Sequence, residues 1–184
     1  RSVTSQYSEN YIDVNPNWAW LLGLILCDAT YDGTICISIG LDEYSIYERI
    51  EKCCTRLGFT CTIIEQNRGK SGHYYDVRIN TGRQKEYVKT LTDMFGGVKK
   101  ADRHIPNEVF SWTYKGKLAF LAGMFDADGH VGFDASKKLI RSLDLGSTNK
   151  ELALQQMHLM QALGGICKCY RNHNKSRSAG AVRY

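Results

Sequence analysis

The chain has 184 residues, 43% of them apolar, and a formal net charge of +5. That size and apolar share suffice for one compact domain or two fused small ones, which should fold without covalent staples. The seven cysteines contain no Cys-x-x-Cys pair, and their odd number suits reduced thiols better than a disulfide framework. No apolar run reaches the roughly 18 residues of a membrane span, and no secretory leader pattern opens the chain. An intracellular setting (cytoplasm, nucleoid or organelle) is expected. From His130 onward, nine Lys and Arg stand against three acids, a surplus of six positive charges. Such a surplus is a footprint for phosphate contacts, although a solvated basic surface has the same composition.

In chain order, Asn15-Pro16 can cap and begin a first apolar helix, because proline fits the first helical position. Thr34 to Ile39 alternates with period two and predicts a strand with Ile35, Ile37 and Ile39 inward. Asp42 to Leu57 reads as a helix stopped by Gly58, with Ile46, Ile50, Cys53 and Leu57 along its buried side. Strands follow at Thr60 to Gln66 and His73 to Asn80, joined by the turn from Asn67 to Gly72, and then a helix from about Arg83 to Phe95. The same order returns after a second apolar helix. Strands are expected at His130 to Ala135 and Leu139 to Leu145, then a helix opened by a Thr148-Asn-Lys-Glu151 capping box and closed at Leu163-Gly164. A last strand is expected at Ile166 to Asn172. Cys167 and Cys169, with His173 nearby, could contribute to a zinc site, but alternate positions on one strand face predict core.

The repeat is sharpest in two eleven-residue stretches, Ala19 to Ala29 and Ala119 to Gly129, each with an aspartate at its tenth position. As helices they carry small stripes, Ala19, Gly23 and Cys27 in one and Ala119, Gly123 and Ala127 in the other. Such stripes let helix backbones approach closely. Packed on each other, the helices would bring Asp28 and Asp128 together at their C-terminal ends, where two carboxylates and the helix-end potential favour a divalent cation. The offset grows from 100 at the motifs to 106 at Leu57-Gly58 and Leu163-Gly164, so the second copy has the longer first hairpin. Residues 1–100 and 101–184 are the two expected repeats. The C-terminal one reads as truncated, with no counterpart of the Arg83 to Phe95 helix.

Leu121-Ala-Gly-Met-Phe-Asp-Ala-Asp-Gly129 resembles the nine-residue signature of the LAGLIDADG homing endonucleases, matching seven letters of nine. Leu21 to Ala29 is a degenerate copy that keeps the glycine and the second acid. It has Leu26 for the first acid and Ala29 for the final glycine. The first change suggests that Asp126 is no obligatory metal ligand, and the second questions the turn after the first helix.

The resemblance implies an α+β fold of two pseudo-symmetric αββαββα repeats, with the motif helices on the pseudo-twofold axis and the sheets forming a saddle over DNA. It implies a site-specific double-strand DNA endonuclease of the kind tied to intron or intein mobility, a monomer cutting a long asymmetric target. Asp28 and Asp128 carry over as catalytic, metal-holding acids. Cys27 and Ala127 accompany them as metal-site positions, and Mg²⁺ is the expected ion, with Mn²⁺ or Ca²⁺ as substitutes. The family's basic or amide helper would be Asn149 or Lys150 in the second half.

Strand parity points Thr34, Cys36, Ser38, Thr62, Gln66, Asp76, Arg78 and Asn80 toward DNA in the first half, with Arg68 and Lys70 in the hairpin turn. Ser142, Asp144, Lys168, Tyr170, Asn172 and Arg183 do so in the second. The alternative is a splicing maturase using the same fold on intron RNA, or a cleavage-inactive DNA-binding remnant. His104, His130 and His158 read as structural, and His173-Asn-Lys lacks the rest of a His-Asn-His nuclease.

Overall fold

The computed structural model describes residues 11–67 and 72–169. Its centre is a pair of helices, α1 (Pro16–Asp28) and α5 (Tyr114–Asp128). Asn15 caps α1 by accepting a hydrogen bond from the Asn17 N–H at 2.9 Å, and Pro16 takes the first helical position. Thr113 caps α5 in the same way, accepting from the Gly116 N–H at 3.4 Å. Gly23 and Gly123 face each other across the crossing. A Cβ built on Gly23 would collide with the Phe120 carbonyl, and one on Gly123 with the Trp20 carbonyl. The small stripes therefore do pack on each other, and Trp20 and Phe120 flank the contact fully buried.

Around α1 the first half adds β1 (Ile35–Gly40), α2 (Tyr44–Leu57), β2 (Thr60–Asn67), β3 (His73–Asn80) and α3 (Gln84–Phe95). The strands form one antiparallel sheet in the order β1-β3-β2. Directly paired residues share a face, so the register places Ile35 beside Ile79 and Cys61, and Ile37 beside Val77 and Ile63. This face packs on the helices. The first arm of the β1 hairpin is reduced to a single bridge from Thr30 to Cys36, turned through Gly33 at φ 75°.

The second half repeats the plan around α5. Strands β4 (Gly129–Asp134) and β5 (Leu139–Leu145) form a full antiparallel hairpin with a bulge at Gly132/Phe133, and α6 (Lys150–Ala162) follows. The longer hairpin expected from the offset is present. The capping box is not: Asn149 is the cap, and its Oδ1 accepts from the Glu151 and Leu152 N–H groups at 3.0 and 3.2 Å. Because Asn149 reaches both amides, the helix begins one residue later than a Thr148 cap would start it. The strand expected from Ile166 is also absent as far as Cys169. Ile166 is fully exposed in irregular chain, and Cys167 and Cys169 are half-buried rather than core. His173 and the rest of that strand lie outside the described residues.

A linker runs from Gly96 through a 3-10 turn at Lys100–Asp102 and the short helix α4 (Asn107–Phe110) into α5. One apolar core includes residues of both halves, among them Ile25, Phe95, Phe120, Met124, Leu152 and Leu159. No helix among the described residues is long and apolar enough to cross a membrane.

Candidate metal centre and nucleic-acid face

Each motif helix ends in its acid, Asp28 for α1 and Asp128 for α5. The two C-caps share one backbone: Ala29 has φ −73° and ψ 146°, Gly129 φ −78° and ψ 149°. Ala29 in place of glycine therefore leaves the turn unchanged. At Gly129 the constraint is space, since a Cβ there would strike Phe125.

The thiol of Cys27 feels the charge of both acids. Burial pushes its pKa far up, Asp128 and Asp28 push it further, and Lys100 pulls it back. Both carboxylates thus act on one buried atom. Asp28 is half-buried and accepts from Lys100 Nζ at 3.0 Å. Lys100 and Asp128 in turn line a single cleft of about 270 Å³, with Leu26, Cys27, Ser147, Thr148 and Gln156. Two hard oxygen ligands at two negative helix ends suit Mg²⁺, Mn²⁺ or Ca²⁺ better than a soft-metal set. Burial raises the pKa of the Cys27 thiol, and the Ala127 side chain has no donor atom. Among the described residues no group of three or more His, Cys, Asp or Glu is placed to hold a metal.

Behind Asp28 lies Arg103, 1% exposed. Its guanidinium donates to the carbonyls of Ile25 (3.3 Å), Leu26 (2.9 Å), Ala29 (2.7 Å) and Val98 (2.8 Å), and stacks 4.4 Å from the Tyr31 ring centroid. A buried cation thus caps the negative end of α1. Asp126 faces elsewhere: it accepts from Trp20 Nε1 at 2.7 Å and pairs with Arg49 at 2.8 Å, the guanidinium lying 4.1 Å from the Trp20 ring centroid. The first acid of the motif is an interhelical tie.

The helper candidates fare differently. Asn149 has its amide engaged throughout, capping α6 while donating to the carbonyls of Ala101 (2.9 Å) and Arg103 (2.8 Å). It is a structural clasp between α6 and the linker. Lys150 is exposed in the first turn of α6. Lys100, missed in the sequence, pairs with Asp28 and lines the same cleft as Asp128. Its only local signal was a pair of lysines in a glycine-rich linker.

Chemistry on the sheets follows the strand parity. Cys36, Thr62 and Arg78 lie side by side across the first sheet, as do Ser38 and Asp76, with Gln66 and Asn80 on the same face. Ser38 Oγ donates to Asp76 at 2.8 Å, and Asp76 is only 7% exposed, so it is buried in the sheet rather than offered to DNA as expected. Thr34 is exposed just before β1. In the second hairpin Ser142 donates to Asp144 at 2.7 Å, beside His130. Lys168 is exposed on irregular chain. Arg68, Lys70, Tyr170, Asn172 and Arg183 lie outside the described residues.

Residues 115–183 match the LAGLIDADG-like domain family. No curated protein matches the chain. Among solved structures it is similar to the homing endonuclease I-DmoI in complex with DNA and Mn, at 18% identity, TM-score 0.51, covering 91% of this chain and 86% of that one. A complex of I-DmoI with DNA and Ca gives 18%, 0.51, 91% and 80%. The N-terminal LAGLIDADG domain of DUF199/WhiA gives 15%, 0.55, 95% and 77%. At these identities the shared property is the fold, two LAGLIDADG motif helices carrying antiparallel sheets.

Proposed function

We propose that this LAGLIDADG chain is a divalent-cation-dependent, site-specific double-strand DNA endonuclease of the homing type. One chain, with residues 1–100 and 101–184 as its halves, would act on a long asymmetric site. The observation that carries this reading is the pair Asp28 and Asp128 at the ends of two helices locked together at Gly23 and Gly123, with Lys100 beside them. Structural relatives bound to DNA with Mn or Ca support it.

In this reading Asp28 and Asp128 would hold Mg²⁺, which would supply charge stabilisation at the scissile phosphate and a more acidic attacking water. Lys100 donates to a phosphate oxygen as negative charge builds there. Arg103 fixes the last turn of α1, and with it the direction of Asp28. The polar sheet faces, with Arg78, Thr62, Ser38 and Ser142–Asp144, meet base edges and phosphates, the Asp144 carboxylate accepting from cytosine amino groups.

The test is cleavage of a genomic-fragment DNA library with and without Mg²⁺. Metal-dependent cutting at one discrete site is expected, reduced about a hundredfold or more by Asp28→Asn or Asp128→Asn. A second reading, binding to DNA or intron RNA without cleavage, is favoured by the Lys100–Asp28 ion pair, which must open before a cation reaches that oxygen. Retained nucleic-acid binding with no cutting at any Mg²⁺ concentration would establish it in place of the nuclease.

A further inference from the structure

Gln156 sits in the middle of α6 and is 3% exposed, yet its Nε2 has no hydrogen-bond partner among the described residues. A buried idle donor is costly, so its retention asks for a reason. The fold does not require a polar group there. By the 106-residue offset the corresponding position in the first half is Ile50, fully buried and apolar. Gln156 lines the cleft of about 270 Å³ with Lys100, Asp128, Ser147 and Thr148. It also lines the neighbouring, larger cleft, which again includes Asp128. Three other side chains of the smaller cleft carry N–H or O–H donors, an ammonium and two hydroxyls. A donor-rich pocket beside one acid suits an oxyanion whose cation is shared with that acid.

We propose that Gln156 is a substrate-binding residue, its amide donating to an oxygen of the phosphodiester that lies beside Asp128. The inference rests on the endonuclease reading and deepens it. The terminal amide torsion is broad, so the group can turn toward an entering oxygen without leaving its rotamer well. The first half, with isoleucine at the equivalent place, has no such donor.

The experiment compares wild type with Gln156→Ile and Gln156→Leu. Thermal unfolding, Mn²⁺ binding to the chain alone by electron paramagnetic resonance, and affinity for a random-sequence duplex in Ca²⁺ by fluorescence anisotropy are measured. If the amide serves the phosphate, both variants keep or raise the melting temperature and keep Mn²⁺ affinity, while DNA affinity falls roughly tenfold. Inorganic phosphate then competes for DNA less effectively against the variants than against wild type. A lower melting temperature with unchanged DNA affinity would make Gln156 a packing residue and overturn the proposal. Loss of Mn²⁺ affinity with DNA affinity intact would overturn it too, assigning the amide to the hydrated cation. Wild type that binds neither Mn²⁺ nor duplex would remove the endonuclease reading itself, whereas wild-type binding shared equally by the variants removes only Gln156.

Discussion

Arg103 joins the two parts of the molecule on which the first acid depends. Its guanidinium occupies carbonyls at the end of α1 and one in the linker, while Tyr31 OH donates to the Gly97 carbonyl at 2.7 Å beside it. Burial draws the Arg103 pKa down, but an arginine stays charged at any pH the protein meets. Arg103→Met would strand several buried carbonyls at about 1–3 kcal/mol each, so a loss of about 3 kcal/mol or more is expected from urea unfolding. Arg103→Lys should recover only part of it, since an ammonium cannot fork across the same acceptors. The thiols make a second test at this scale. Burial holds Cys27 far above its ordinary pKa and pushes Cys54 up to about 12, so thiolate is scarce at pH 8. Native protein treated with iodoacetamide should show both unlabelled by peptide mass spectrometry, and labelled once urea is added.

Between elements, the closest approach is α1 on α5. Gly23→Ala and Gly123→Ala each place a methyl where the opposite backbone already stands, and backbone cannot step aside as a flexible side chain can. Each should cost about 3 kcal/mol or more, with a fall of roughly 6–12 °C in melting temperature. An equal substitution in open space, at Gly146, is the control and should move the melting point little. The α6 cap is a milder tie. Asn149→Ala removes two cap acceptor bonds and two donor bonds to the linker, so its cost should exceed the ~1 kcal/mol of an ordinary cap. Scanning calorimetry of that variant would measure it, and a cost below this value would mean that the linker contacts contribute nothing.

Across the whole molecule, the core does not divide at the repeat boundary, because α1 and α5 bury each other's small faces and Leu152 and Leu159 of α6 join the same cluster. Unfolding should therefore be one transition, with circular dichroism and tryptophan fluorescence coincident in urea. Two separated transitions would show the halves to be independent domains joined by a linker.

Repetition and local periodicity made much of this legible. The stripes of Gly23 and Gly123, the terminal acids, the inward isoleucines of β1 and the polar face opposite them follow from spacings of two, four and 100 residues. Each is a pattern that a folded helix or strand must express. Asp126, set apart in the sequence by Leu26 at the matching position, has its ion-pair partner in Arg49, 77 residues away. Contacts without a period were invisible. Lys100 meets Asp28 across 72 residues, Arg103 reaches Ala29 across 74, and Asn149 holds the linker across 46. Nothing in the local sequence distinguishes such a lysine from a solvated one, or such an asparagine from a catalytic amide. Residue type and spacing determined that two acids would end two packed helices. Only the path of the linker between the halves decided which cations stand beside them, because that path depends on how the whole core closes.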